Sequence, residues 1–219
     1  MSEAEPLVRW DWVTSHLDDI WARTIEHLTL TAIAVGIGFV LAMALSIVAL
    51  RYRRTLAPIS WFTGILYTIP SIALFALLIP VTGLTITTAE VGLVSYTLLV
   101  LVRNIVSGID GVAAPVREAA VGMGYGRWRM FVQIEIPLAL PVIIAGLRIA
   151  TVTTVGLVTV TALIGQGGYG ALINDGLQRF FNTPLIVGAV LSVAMAVTLD
   201  VALVVVERTL TPWARRRTA

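Results

Sequence analysis

Residues 28–50 read LTLTAIAVGIGFVLAMALSIVAL, from Leu28 to Leu50, without one charged side chain. A helix needs about 20 predominantly apolar residues to cross the hydrocarbon core of a bilayer. Four further apolar stretches are long enough to do the same, at residues 58–80, 91–109, 138–165 and 184–206. The sequence therefore predicts an all-α, polytopic membrane protein with about five transmembrane helices.

The composition agrees with a hydrocarbon solvent and excludes several kinds of chemistry. The chain is 58% hydrophobic and 13% charged, with a mean hydropathy of +0.91, whereas a soluble domain carries about 25% charged residues. It has no cysteine and two histidines, so we predict neither a disulfide nor a metal site. All 15 basic residues are arginine, and a Walker A phosphate loop needs lysine. We therefore expect no cofactor in this chain, and any ATP that drives it is bound by a partner subunit.

The first 27 residues differ from the rest of the chain. Apolar residues recur there at helical spacing, with acidic residues and Arg23 between them: Trp10, Val13, Leu17, Ile20 and Trp21. This pattern is typical of an amphipathic helix that lies in the membrane interface, with tryptophan at headgroup level. We predict an external amphipathic segment at 1–27, a transmembrane domain at 28–212 and a basic tail at 213–219.

The placement of arginine predicts the orientation of the chain. Arginines follow the first, third and fifth apolar stretches: Arg51, Arg53, Arg54, Arg117, Arg127, Arg129, Arg208, Arg215, Arg216 and Arg217. The alternate loops hold only Arg179. Because positive loops remain in the cytoplasm, we expect an external N-terminus and a cytoplasmic C-terminus in a bacterial cytoplasmic membrane. The longest cytoplasmic loop is then residues 110–137.

That loop carries a recognisable spacing. It runs from a Glu-Ala-Ala triplet through a glycine to a proline that follows Ile134-Glu135-Ile136: Glu118, Ala119, Ala120, Gly124 and Pro137. Pro115 near the start and glycines near the end suit a short surface helix. The spacing resembles the EAA loop of binding-protein-dependent ABC importer permeases. The resemblance implies that these five residues couple the permease to an ATPase, in whose groove the short helix docks.

Other stretches resemble the osmoprotectant branch of these permeases. They are YTIPSIAL at 67–74, RNIVSGI at 103–109, AGLR at 145–148 and IGQGGYG at 164–170. The resemblance implies an importer of glycine betaine, choline or carnitine. It also implies ABC ATPase subunits, a second permease subunit and an extracytoplasmic solute-binding protein as partners, with membrane lipid around the chain. No nucleic acid partner is expected.

A glycine-rich stretch follows the fourth apolar stretch. Gly165, Gly167 and Gly170 match the G-x-G-x-x-G spacing of dinucleotide-binding folds, but they follow a membrane helix rather than a strand. We predict instead a tight turn that leads into a short re-entrant or surface helix, with glycines at positive φ.

Several residues within the apolar stretches are candidates for a translocation path: Tyr67, Pro70, Ser71, Tyr96, Arg148, Thr151 and Thr154. Aromatic faces hold cations. Intramembrane threonines either line a path or join helices, and joining helices is the commoner role. Arg148 needs a partner or a wet cavity at its depth. Asp200 is the candidate partner, and Arg103 is an alternative partner for Asp200.

Three other functions are compatible with parts of this pattern. A methionine or other amino-acid ABC permease has a similar length and the same coupling loop. An ion-driven secondary transporter would work without an ATPase, and a membrane scaffold would carry no solute. Neither of the last two explains the Glu118-to-Pro137 spacing.

Overall fold

A computed structural model describes residues 7–213 of the chain. In this part of the chain the regular elements are all helical. They are α1 (Trp10–Ser15), α2 (Leu17–Arg51), a 3₁₀ turn (Arg53–Thr55), α3 (Leu56–Thr68), α4 (Ser71–Thr82), α5 (Ile86–Asp110), α6 (Ala114–Gly122), α7 (Arg127–Met130), a π-helical turn (Phe131–Glu135), α8 (Ile136–Val160), a 3₁₀ turn (Thr161–Ile164), α9 (Tyr169–Arg179) and α10 (Asn182–Leu210).

Four helical runs are long and apolar enough to cross a membrane: Leu17–Arg51, Ile86–Asp110, Arg127–Ile164 and Asn182–Leu210. The helix pair α3 and α4 makes a fifth crossing only if the bent pair counts as one span. The prediction of an all-helical protein with about five membrane segments is therefore confirmed, with one of them broken.

The break lies inside the second apolar stretch, residues 58–80, which was predicted as one span. Helices α3 and α4 meet there at a bend of 97° across Ile69-Pro70. Pro70 has φ −55° and ψ 134° and stands immediately before α4. A proline disfavours helical backbone at the residue before it, which ends α3 here.

No break in the helix marks the predicted boundary after residue 27. Helix α2 begins at Leu17 and runs without interruption for 35 residues, so the polar N-terminal segment and the first apolar stretch form one helix. Asp18 and Asp19 lie in its first turn, where carboxylates stabilise a helix N-terminus. Only the six-residue α1 is separate. Residues 1–6, and 214–219 of the predicted basic tail, lie outside the described residues.

The predicted loop 110–137 is shorter than expected. Helix α7 begins at Arg127 and continues through the π-helical turn into α8, so Pro137 lies in a helix rather than at the end of a loop. A proline in a helix crowds the carbonyl four residues earlier. The wider π-helical turn occupies that position, at Gln133.

The helices form two compact units, which we describe separately. The first contains Ile69–Val94, Thr151–Thr198 and the described residues up to Gly36, and its core includes Leu30, Phe75, Leu93, Val158 and Ile164. The second contains Ile37–Thr68, Ser95–Ala150 and the described residues from Leu199, and its core includes Leu101, Val102, Ile105, Ala139 and Ile143.

In the first unit, a turn held by buried polar groups joins α8 to α9. Gly165, Gly167 and Gly168 all have positive φ, which confirms the predicted tight turn before a short helix, whereas Gly170 lies within that helix. The buried His27 ring accepts the backbone N–H of Tyr169 at Nδ1, 3.3 Å away. Since a backbone N–H only donates, the ring proton lies on Nε2, which donates to the Val155 carbonyl at 3.1 Å. The turn is thereby fixed to α2.

Candidate coupling helix and translocation residues

The short helix predicted from the Glu-Ala-Ala triplet is confirmed as α6. It spans Ala114–Gly122 and has Pro115 in its first turn. Glu118 and Ala119 are exposed, whereas Ala120 is completely buried. Helix α6 therefore packs through one small residue and presents its acidic residue outward.

A tight turn with Gly124 at its centre follows α6. The backbone N–H of Met123 donates to the Ala119 carbonyl and that of Tyr125 to the Ala120 carbonyl, both at 3.0 Å. Gly124 has φ +79°, and a Cβ placed on it would meet no atom within 4 Å among the described residues other than its two chain neighbours. The space beside Gly124 is thus open to a partner, while its backbone conformation favours glycine.

Arg117 fastens α6 to the ends of two membrane helices. Its Nε donates to Glu135 Oε1 at 2.6 Å and its Nη2 donates to the Ile109 carbonyl at 2.5 Å. The Glu135 side chain is only 12% exposed, so the ion pair is largely desolvated. One guanidinium therefore joins α6 to α5 and to the π-helical turn before α8. From the sequence, Arg117 was predicted only to mark a cytoplasmic loop, and this structural role was missed.

A second ion pair braces the same end of α5. Arg53 Nη1 donates to Asp110 Oδ2 at 2.7 Å and Nη2 donates to Oδ1 at 2.5 Å. Bidentate pairs of this kind fix orientation as well as distance. The 3₁₀ turn after α2 is thus fixed to the C-terminus of α5.

The surface around α6 keeps large apolar side chains uncovered. Val121, Met123 and Trp128 are each more than 60% exposed. Clustered exposed apolar side chains with charged neighbours mark protein or membrane contact sites. This surface is suited to close packing with another molecule.

The candidate path residues Tyr67 and Tyr96 are brought together in the second unit. Their ring centroids are 5.9 Å apart in an edge-to-face arrangement. Tyr96 is almost completely buried and Tyr67 is exposed. The edge-to-face geometry is that of ordinary aromatic packing, and it leaves part of the Tyr67 ring accessible.

Arg148 pairs with Asp200, which confirms one of the two pairings that the sequence allowed. Its Nε and Nη2 donate to Oδ1 and Oδ2 at 2.8 and 2.9 Å, a bidentate pair across α8 and α10. Glu207 lies 3.8 Å from the remaining Nη1. The alternative of Arg103 as the partner of Asp200 is wrong, and Arg103 is exposed. Arg148 therefore lies between two carboxylates.

The other candidate path residues belong to the first unit. Thr151 and Thr154 lie on α8, three residues apart and therefore on one face, and both are buried. Pro70 stands at the break between α3 and α4, and Ser71 begins α4. Their part in a solute path stays a prediction.

Glu90 is a buried acid that the sequence analysis missed. It lies in the second turn of α5, and both its carboxyl oxygens are buried without a hydrogen-bond partner in the described structure. Leu93 and Val94, one helical turn away, belong to the apolar core of the first unit. The signal was an acid directly before the apolar stretch predicted at residues 91–109.

The helical fold, together with a family match over most of the chain, defines a class of membrane protein. The family described as binding-protein-dependent transport system inner membrane component matches residues 34–212, which is most of the chain. This chain belongs to that family.

Particular relatives share about a third of its residues. The glycine betaine/carnitine/choline transport system permease protein of Bacillus subtilis is 36% identical over 87% of this chain and 88% of its own length. The osmoprotectant import permease protein of Salmonella typhimurium is 36% identical over 86% of this chain and 90% of its own length. A choline transport system permease protein of Bacillus subtilis has the same identity over 89% of this chain and 90% of its own length.

Solved structures with the same fold are more distant in sequence. A methionine ABC transporter in an inward-facing conformation superposes with a TM-score of 0.76 at 22% identity, covering 88% of this chain and 96% of that one. An amino acid ABC transporter gives a TM-score of 0.75 at 19% identity, over 92% and 99% of the two chains. At this identity the likeness establishes the fold.

Proposed function

We propose that this chain is the permease subunit of an importer for quaternary-ammonium osmoprotectants such as glycine betaine, choline or carnitine. The observation that carries the proposal is 36% identity, over nearly nine-tenths of the chain, to permeases named for these solutes. The structures named for methionine and amino acids are 22% and 19% identical and support the fold alone. The chemistry of energy conversion belongs to separate ATPase subunits, which bind the ATP.

The proposed contact with the ATPase is the exposed face of α6 and the turn that follows it. Glu118 and Ala119 face outward and Gly124 leaves open space, so a groove on the ATPase can approach the backbone closely. The buried Ala120 packs α6 against the rest of the permease. Pro137 contributes to coupling from α8, within the continuous helical run that begins at Arg127. Closure of the ATPase would move α6, and the Arg117 contacts would carry that movement to α5 and α8.

The remaining partners follow from the proposed mechanism. A second permease subunit, identical or related, completes the solute path, and a solute-binding protein docks on the external face. The arginine distribution supports an external N-terminus and a cytoplasmic C-terminus. Because the chain has no cysteine, single cysteines introduced at positions 4 and 218 can be labelled with an impermeant thiol reagent in intact cells. We expect labelling at position 4 alone, and labelling at both positions would contradict the orientation.

The solute is tested with the assembled importer in proteoliposomes. The chain is purified with its ATPase and solute-binding partners, which are sought first among neighbouring reading frames. We expect glycine betaine, choline or carnitine to stimulate ATP hydrolysis and to accumulate in the vesicles, while methionine does neither. Stimulation by methionine alone would replace the proposed solute class. Uptake driven by an ion gradient without ATP would overturn the mechanism.

The coupling surface is tested with Gly124→Trp. We expect uptake and stimulated ATP hydrolysis to fall together, with normal membrane insertion, because the indole would occupy the space left for the ATPase. Gly83→Trp is the matched control, since Gly83 also has positive φ, +72°, and only one atom near its added Cβ, but lies in another loop. Equal losses in both variants would mean that backbone strain, and not the ATPase contact, causes the effect.

A further inference from the structure

A cavity in the second unit has an apolar wall and a cationic rim. Its volume is about 660 Å³, within the size range of ligand sites. The apolar wall comes from α2 and from the helical run that begins at Arg127, and it includes Ile47, Leu50, Met130 and Phe131. The rim carries Arg51 and Arg127. None of these residues belongs to the proposed coupling contact at Glu118 and Gly124.

The charge at the rim is not neutralised by the protein. Among residues 7–213, neither Arg51 nor Arg127 has a carboxylate partner, and Arg51 only lies over the neighbouring Tyr52 ring at 5.5 Å. Glu135 also lines the cavity, but its carboxylate is held by Arg117. The cavity therefore presents two unpaired guanidinium groups and is suited to an anion.

The cavity lies where the apolar surface of α2 ends. The uncharged stretch that opens at Leu28 stops immediately before Arg51. Tyr52 and Trp128, one beyond each arginine in sequence, are both strongly exposed. Exposed tyrosine and tryptophan beside basic residues are typical of the boundary between hydrocarbon and headgroups. An anion bound at this level would be accompanied by acyl chains.

We propose that this cavity binds an anionic phospholipid, with the phosphate between Arg51 and Arg127 and an acyl chain along Ile47, Leu50 and Met130. Guanidinium groups match the geometry of phosphate oxygens. Basic pockets between membrane helices are known recognition sites for anionic headgroups. A soluble phosphate would not use the apolar wall, and a zwitterionic lipid would bring a cation towards the two arginines.

The experiment uses the purified full chain in nonionic detergent. Phosphatidylglycerol, phosphatidylcholine or inorganic phosphate is added, the unfolding temperature is measured, and retained lipid is counted by native mass spectrometry. Phosphatidylglycerol is expected to be retained and to raise the unfolding temperature. In the double variant Arg51→Gln with Arg127→Gln, the affinity of the protein for phosphatidylglycerol should fall about 30-fold. This is the ratio expected when two arginines near a headgroup surface are lost.

The matched control is Arg54→Gln with Arg129→Gln, which removes the same charge from exposed positions outside the cavity. It should retain phosphatidylglycerol as the wild type does, and the double variant Arg51→Lys with Arg127→Lys should recover much of the binding. Equal losses in test and control variants, or an equal response to phosphatidylcholine, would overturn the proposal. A response to inorganic phosphate alone would make the ligand a soluble anion. If the double variant at Arg51 and Arg127 retains phosphatidylglycerol as the wild type does, the two arginines do not bind the headgroup and the proposal is wrong.

Discussion

Removing one member of the Arg148–Asp200 pair should destabilise the protein more than removing both. The pair is bidentate, at 2.8 and 2.9 Å, and the side chains are 31% and 32% exposed. Replacing either residue by leucine leaves a charge that α8 and α10 hold in place without its partner. The double variant removes both members of the close pair and leaves only the more distant Glu207 without its cation.

The magnitude follows from the partial burial of the pair. Exposed pairs contribute about 0.2–1 kcal/mol, and breaking a buried pair costs about 3–5 kcal/mol. For two side chains that are about one-third exposed, we expect a single variant to lose stability near the range of an exposed pair, seen as a fall in unfolding temperature of about 2–4 °C in a chain of this length.

The two single variants should not be equal. Asp200→Leu leaves Arg148 with Glu207, whose carboxylate is already 3.8 Å from Nη1. Arg148→Leu leaves two carboxylates without their shared cation. We therefore expect Arg148→Leu to be the more damaging of the two.

The assay is thermal unfolding of the four proteins of the cycle in one detergent, with membrane yield as a second measure. Arg103→Leu is the control, because it removes an exposed arginine of α5, whereas the carboxylate of Asp200 is bound by Arg148. A coupling of about 0.5 kcal/mol or more supports the pair. Additive losses, or a loss for Arg103→Leu equal to that for Arg148→Leu, would refute the reasoning.

Three further changes test other parts of the structure, each by thermal unfolding in detergent. Arg117→Ala should lower stability by about 2–4 kcal/mol, because the largely buried Glu135 loses its cation; an unchanged unfolding temperature would show that the pair is not formed. Gly170→Ala should cost at least about 1–3 kcal/mol, because its Cβ would overlap the Thr159 carbonyl; free accommodation would contradict the packing of α9. Glu90→Gln should leave stability equal to or above that of the wild type, since an unpartnered buried charge is costly. A loss above about 1 kcal/mol would instead mean that the carboxylate has a partner.

Much of the fold was predictable because it depends on local composition. The apolar stretches identify the membrane segments, since a hydrocarbon core requires about 20 apolar residues in a helix. The position of α6 was predictable from Pro115 and the glycines that follow, because these residues limit the backbone by themselves. The turn before α9 was predictable for the same reason.

The boundaries were less predictable, because a helix does not have to end where hydrophobicity changes. Helix α2 passes from polar to apolar sequence at residue 27 without a break, since both parts satisfy their backbone hydrogen bonds within the helix. The opposite holds at Ile69-Pro70, where hydrophobicity continues but the backbone bends by 97°. Hydropathy indicates whether a segment lies in lipid or in water. It does not determine where the helix backbone continues or bends.

The sequence by itself determined that this chain is an all-helical membrane protein with an exposed short helix between its third and fourth apolar stretches. Only the tertiary structure decided which polar side chains meet. Arg148 and Asp200 are 52 residues apart, and depth in the membrane alone allowed Arg103 equally. The rotation of each helix about its axis determines which of the two arginines faces Asp200. Helix rotation likewise brings Arg117 to Glu135. That rotation is set by packing against neighbouring helices, which no single stretch of sequence specifies.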